Sequence, residues 1–316
     1  MKISEEVQQK LICPLTKSKL KLNGNHLECV ADSTIQYPIV DGIPILINNE
    51  NSLFSLEDFT KNVSTTFNLK ESRFRRIVKK MMPKITHNIK AKKNYKEIIT
   101  LLPVNAKILV IGGSIKGQGM DKIYSTSSFE IVGSDVSFGP HTKMICDAHD
   151  IPFEDETFDC IIVQVVLEHV LDPQRCVAEI HRVLKSSGLI YAETPFIQQV
   201  HMKQYDFTRY THLGHRRLFR NFEEIKSGAT GGPGMALAWS YTWFLRSFAT
   251  SPFMVYLLVF FGYMTSFFLK YFDYFLINKP GSYDAASQFF FMGKKSNSVL
   301  SDKELIKQFR GIKHNF

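Results

Sequence analysis

A glycine-rich loop, Gly112-Gly113-Ser114-Ile115-Lys116-Gly117-Gln118-Gly119, is followed by two spaced carboxylates, Asp135 and Asp147. Glycine lets backbone approach a ligand closely and leaves N–H groups free to bind a carboxylate or phosphate. Asp135 stands about as far beyond the loop as an acid that takes the two hydroxyls of a ribose. Asp147, with the Ala148 backbone, suits an adenine amino group and ring nitrogen. To this point the pattern fits any nucleoside cofactor, a nicotinamide dinucleotide included.

A second group of polar and aromatic residues follows in TPFIQQVHMKQYDFTRYTHLGHRRLFRNF: His201, Tyr205, Asp206, Arg209, Tyr210 and His212. His201 could accept a proton from a hydroxyl or amine. Asp206 could orient it, and Arg209 could hold an acidic group. At their spacing of three, Asp206 and Arg209 can equally well pair with each other on a helical turn.

These residues need a frame that brings them together. From Lys107 the chain alternates short apolar runs with helical stretches. Ile108 to Ile111, Glu130 to about Asp135, Met144 to Cys146 and Phe158 to Val163 read as buried parallel strands. A helix opens at Pro173, with Val177, Ile180, Val183 and Leu184 on its apolar face, and is expected to end at Gly188. Leu189 to Ala192 gives a fifth strand and Gln288 to Lys294 the last. Such alternation predicts an α/β fold with a doubly wound parallel sheet, whose ligands sit at the carboxyl ends of the strands.

The stretch DAHDIPFEDETFDCIIVQVVLEHVLDPQRCVAEIHRVLKSSGLIYAETP, Asp147 to Pro195, resembles the type 11 family of class I S-adenosylmethionine-dependent methyltransferases. Ile151-Pro152-Phe153, Phe158-Asp159, Leu167-Glu168-His169-Val170, Asp172-Pro173 and Glu179 to Lys185 carry the likeness. The resemblance implies a Rossmann-like methyltransferase domain over 105–295 and S-adenosyl-L-methionine as cofactor. It implies that Gly112, Gly113, Ser114 and Gly117 contact the methionine part of the cofactor. Asp135 would hold the ribose, Asp147 with Ala148 the adenine, and Gln164 would face the sulfonium. Leu167-Glu168-His169 would wall the site, with His169 structural. His201, Asp206, Arg209 and Tyr210 would be the catalytic set. Val110 stands where the family often has an acid.

Residues 1–50 read as a small separate β unit, with Asn23-Gly24 and Asp41-Gly42 as tight-turn pairs. Cys13-Pro14, Cys29 and Tyr37-Pro38-Ile39-Val40-Asp41-Gly42-Ile43-Pro44 resemble a Trm112-like, zinc-ribbon-related domain. Zinc-binding members use two CxxC pairs. Thr16 and Asp32 stand at the partner positions here, so no zinc and no other metal is expected. The unit is then expected to serve docking or stability.

Residues 51–104 read as a basic helical linker. Between Lys61 and Lys96 there are twelve Lys/Arg and one acid, a balance of +11 against +9 for the whole chain. Such a run suits a solvated face, an anionic membrane surface or, with few aromatics for stacking, less well a nucleic acid. Within an apolar helical insert at 236–280, residues 247–269 carry no charge, and Arg246 and Lys270 flank them. The length permits a span. The strand after it must rejoin the sheet, so the segment is expected to form a hairpin, lie in the membrane interface or pack on protein. Residues 296–316 read as a tail.

Five scattered cysteines and an N-terminus without an apolar run predict a reducing cytoplasm and no signal peptide. The expectation is a cytoplasmic enzyme on the inner face of the membrane, acting on an unknown acceptor, lipid-linked or a glycan precursor. The alternatives are a methyltransferase of RNA or of a partner protein, and a binding module without catalysis.

Overall fold

A computed structural model describes residues 1–61 and 82–313. The basic stretch Lys61–Lys96 therefore lies largely outside the described residues. In chain order the strands are β1 Leu20–Asn23, β2 His26–Cys29, β3 Gln36–Val40, β4 Ile43–Leu46, β5 Lys107–Ile111, β6 Glu130–Asp135, β7 Met144–Cys146, β8 Phe158–Gln164, β9 Leu184–Pro195, β10 Phe222–Gly231 and β11 Gln288–Lys295. They form one sheet in the order β1-β2-β3-β4-β7-β6-β5-β8-β9-β11-β10. Neighbours from β4 to β9 run parallel, while β11 is antiparallel to both β9 and β10. The order reverses between β5 and β8, which opens a crevice at their carboxyl ends.

The apolar runs expected as strands are strands. Ile108, Leu109, Ile161, Ile162 and Val163 are fully buried, as residues of a sheet covered on both faces must be. The expected helix is shorter than its pattern suggests, running from Pro173 to Val183 and capped by the Asp172 carboxylate on Arg175 N–H. Leu184 already belongs to β9, so Gly188 sits inside a strand beside a register break and ends no helix. β10 has no counterpart in the sequence reading. It is an edge strand with two register breaks, rich in glycine and charge, and lacks the apolar alternation that betrays a strand.

The N-terminal unit is not separate. Its β3–β4 turn has Asp41 and Gly42 at φ +50 and +76, the left-handed pair a tight hairpin requires. That hairpin sets β4 alongside β7, with Ile45 opposite Ile145 and Leu46 opposite Cys146. Val7, Leu11, Cys13, Leu27 and Leu46 share one apolar core with Leu109, Met144, Phe153 and Val163. Lys107 pairs with Glu6, and Lys10 and Lys19 pair with Glu154.

The stretch expected as a linker also contributes structure. Helix Leu56–Thr60 buries Phe59 beside Ile45 and Ile145. Helix Ala91–Leu101 buries Tyr95 and Ile98 against Ile108, Val110 and Tyr191. The tail likewise docks, through helix Asp302–Lys307 with its buried Leu305 and through Arg310 on Glu224.

The apolar insert occupies all of 232–287, between β10 and β11. Helices Pro233–Arg246 and Pro252–Ser266 pair closely where Gly262 meets Thr242; a Cβ on Gly262 would lie 3.0 Å from the Thr242 hydroxyl. The chain then returns to the foot of the first helix. There the buried Asp273 carboxylate accepts N–H bonds from Gly232, Gly234 and Met235, capping a helix that begins with glycine and proline. The segment 247–269 does not turn back on itself; it packs on protein along one side, against Pro233–Arg246. The far side of the insert is open: Phe244, Phe253 and Phe275 are 61%, 76% and 77% exposed. Among the described residues, Pro252–Leu276 is the one helical stretch long and apolar enough to cross a membrane by length and composition.

Candidate functional site

A cavity of ≈ 280 Å³ lies at the carboxyl ends of β5 to β8. Gly112, Asp135, Asp147, Ala148, His149 and Val166 line it from below. Asn51, Leu53, Phe54 and Tyr205 close it from above, so the segment after the N-terminal unit roofs the site. Phe54 lies against Tyr205 with ring centres 5.8 Å apart.

Each strand end delivers its residue. Gly112 has φ +72, and any Cβ there would overlap Val166. Ser114 N–H donates to the Asp135 carboxylate at 3.0 Å, tying the glycine loop to the end of β6. Burial pushes Asp135 above the usual carboxylate range, against that hydrogen bond. Asp147 accepts from Ser52 Oγ at 2.6 Å and from His149 N–H and Nδ1 at 3.0 and 2.6 Å. Asp172 N–H donates to His149 Nε2, so the ring proton sits on Nδ1 and points at Asp147. Burial raises Asp147, but the His149 bonds outweigh it and the group settles below its ordinary value.

The cavity fits the nucleoside half of S-adenosylmethionine: two buried acids at neighbouring strand ends face a space with an apolar wall. The other half of the loop is packed more tightly. A Cβ on Gly117 would overlap Gln164 Oε1, which has no hydrogen-bond partner. Gln164 Nε2 donates to Gln118 O at 3.2 Å and to Glu193 at 2.9 Å. Glu193, fully buried, also accepts from Asn88, Tyr191 and Gln288. Burial lifts it above the ordinary range, against those four donors. Val110 is buried in the apolar core and offers no acid beside the loop.

The expected catalytic set divides. His201 N–H donates to Asp206 at 2.8 Å, so Asp206 does hold the His201 turn. Arg209 is not free to receive an acidic ligand. It grips both Asp206 oxygens and donates as well to Gln198 O, Gln199 O and Thr208 O, which uses all five of its N–H groups. With Arg209 as partner, Asp206 falls to about 2 despite burial. Tyr210 lies with Gln174, Val177 and Gly214 in a different depression. His212 bonds Ser227 within the fold. Tyr205 and His169 reach the cavity instead.

Sequence reasoning missed Ser52, His149 and Glu193. Ser52 comes from a segment read as linker. Glu193 left one trace, an acid interrupting the apolar run Leu189-Ile-Tyr-Ala-Glu.

In the N-terminal unit, Cys29 Sγ meets Ser18 Oγ at 3.0 Å and Thr16 Oγ1 at 3.3 Å, and Cys13 Sγ meets Tyr37 Oη at 3.2 Å. Asp32 turns away to cap Thr34. Hydroxyls thus surround the thiols where two further thiolates would complete a zinc site. Changing Cys13 and Cys29 together to serine is expected to leave the metal content of the purified chain unaltered by elemental analysis. Loss of one zinc per chain would show that the two sulfurs bind metal.

Residues 120–192 match the family model described as a methyltransferase domain. The N-terminal unit is 48% identical over 48 residues to a UPF0434 protein of Vesicomyosocius okutanii, a match that covers 15% of this chain and 80% of that protein. An uncharacterised 37.1 kDa protein in a transposon of Streptomyces fradiae is 41% identical over 49 residues; the match covers 16% of this chain and only 14% of that protein. Among solved structures, the complex of the Haloferax volcanii Trm112 methyltransferase activator with a putative methyltransferase has a TM-score of 0.40 at 17% identity, covering 66% of this chain and 91% of that one. A putative sarcosine dimethylglycine methyltransferase from Galdieria sulphuraria has 0.42 at 15% identity, covering 66% and 85%.

Proposed function

We propose that the chain, whose residues 120–192 match a methyltransferase domain and whose N-terminal unit is similar to UPF0434 proteins, methylates an acceptor held at a membrane surface, a lipid-linked molecule or a glycan precursor, with S-adenosylmethionine. The observation that carries the methyl-transfer reading is the roofed cavity at the switch of the sheet, with Asp135 and Asp147 buried at its floor. The membrane part rests on the open apolar side of the 232–287 hairpin.

In this reading Asp135 accepts the ribose hydroxyls, and Asp147 with Ala148 meets the adenine. Gly112 lets the backbone approach, and the Phe54–Tyr205 roof keeps water out. The cofactor supplies a sulfonium-bound methyl group. The bond from methyl to the acceptor oxygen or nitrogen would form as the methyl–sulfur bond breaks, the acceptor's proton would pass to solvent, and the cofactor would be left as a neutral thioether. Alignment of the two reactants supplies much of such a rate. His201 stands behind the cavity wall, where burial lowers its pKa against the opposing pull of Asp206.

Asp135→Ala is expected to weaken S-adenosylmethionine binding by about 1–3 kcal/mol, roughly 5- to 150-fold, because the ribose loses a charged acceptor. Calorimetry on wild-type and variant chains decides it; unchanged affinity would remove Asp135 from the site. The acceptor class is tested by mass spectrometry of lipids and glycan precursors from cells with and without the gene. A methylated species confined to RNA or to a protein would overturn the acceptor assignment and leave the methyl-transfer reading standing.

A further inference from the structure

Beside the cavity, Glu168, His169 and His201 bring one carboxylate and two imidazoles within 4.8 Å of one another. Glu168 is fully buried, and neither of its oxygens has a hydrogen-bond partner. His169 Nε2 lies 3.6 Å and His201 Nε2 3.7 Å from Glu168 Oε1, too far for hydrogen bonds. Ligands about 2.1 Å from a tetrahedral ion stand roughly 3.4 Å apart, close to this spacing.

The other ring nitrogens settle which atoms present lone pairs. His169 Nδ1 lies 2.7 Å from the Tyr205 carbonyl, which can only accept, so Nδ1 carries the proton and Nε2 is bare. His201 Nδ1 faces the Gln199 carbonyl and the Asp206 carboxylate, both at 3.4 Å, so its Nε2 is bare as well; that nitrogen is buried without a partner. An imidazole whose far nitrogen is held by a carbonyl or carboxylate is the usual form of a metal-bound histidine.

The backbone also departs from its ordinary habits here. Val165, three residues before Glu168, has φ +59, a region that a β-branched residue rarely enters. That turn carries Val166 and His169 to the cavity wall, and the chain from Phe207 to Thr208 folds onto the Glu168 carbonyl. Such strain persists where the surroundings enforce it, commonly at functional sites. Asp206 and Arg209 face the cluster but pair with each other, so neither is free to act as a ligand there.

We propose that Glu168, His169 and His201 bind one divalent transition-metal ion, with an open position toward the cavity. Two imidazoles and one carboxylate suit zinc or iron(II) and leave room for a further ligand. On the methyl-transfer reading, that ligand is an acceptor hydroxyl: the ion lowers its pKa, the proton goes to solvent, and the oxygen attacks the methyl group. Metal binding itself does not depend on that reading.

The test uses the full chain, stripped with chelator and titrated with cobalt(II). Wild-type protein should take up one equivalent and show d–d absorption of a nitrogen- and oxygen-ligated ion, without thiolate charge transfer. His201→Gln and Glu168→Gln should each weaken binding by at least tenfold, while the Cys13→Ser/Cys29→Ser double variant should bind as wild type. Because Glu168→Gln changes a buried group, its fold is checked by circular dichroism and thermal unfolding, and the less buried His201 supplies the independent variant. Less than one-tenth equivalent in wild type, or uptake undisturbed by His201→Gln in folded protein, overturns the site. Stoichiometric uptake with no methyl transfer in any metal state would instead count against the hydroxyl-acceptor role alone.

Discussion

Ile45→Ala should lower the stability of the whole chain by about 2–5 kcal/mol, and removal of residues 1–50 should leave an insoluble product. Ile45 is fully buried between Ile145 of β7 and Phe59. Truncating it leaves a hole that neither sheet nor helix can fill. Deletion goes further: β7 would lose its hydrogen-bonded neighbour β4, and Leu109, Met144 and Phe153 would lose the apolar partners Leu11, Cys13 and Leu27. An unpaired apolar edge is an invitation to association. Denaturant unfolding should show one transition, with the same midpoint for backbone amides of β1–β4 and of β5–β9 followed by hydrogen exchange, because the two units share a core. Two separate midpoints, or a soluble cofactor-binding chain lacking 1–50, would contradict this.

The second large effect concerns the apolar hairpin. Wild-type protein should float with anionic vesicles even at high salt, since the apolar contribution is not screened. Replacing Phe244, Phe253 and Phe275 together with serine should release it. Each exposed phenylalanine brings about 1.5–3 kcal/mol of burial to a lipid interface, so the triple change should cut partitioning by roughly a thousandfold or more. The native side chains point outward and make few contacts in the fold, so thermal stability should barely move. If wild-type protein instead stays monomeric in solution, without vesicle binding, the membrane-surface acceptor loses its support. If the variant unfolds, the three rings are part of the core.

Strand positions were readable where burial on both faces leaves unbroken apolar runs, as at Ile108–Ile111 and Phe158–Val163. β10 was not, because an edge strand with bulges and glycines carries no such run. Gly112, Asp135 and Asp147 stand at adjacent strand ends as their spacing implied. Ser52 could not have been foreseen, since nothing in a polar stretch announces that it reaches across to Asp147. Glu168 and His169 were legible as a motif and read as wall. Their relation to His201 is a matter of distance in space, 32 positions apart along the chain. The pairing of Asp206 with Arg209 was foreseen as one of two readings, and the five donors of Arg209 decide between them.

The pairing of Ile45 with Ile145 has a kinetic consequence. Its partners are 100 positions apart, so the unit over residues 1–50 waits for about that many further residues before its outer strand finds a neighbour. At roughly 5–20 residues per second the wait is about 5–20 s, long compared with hairpin closure. During that interval β4 is an apolar strand with one free edge. Refolding from denaturant should therefore be limited by this long-range closure, and a nascent-chain chaperone would have its natural target in the first 50 residues.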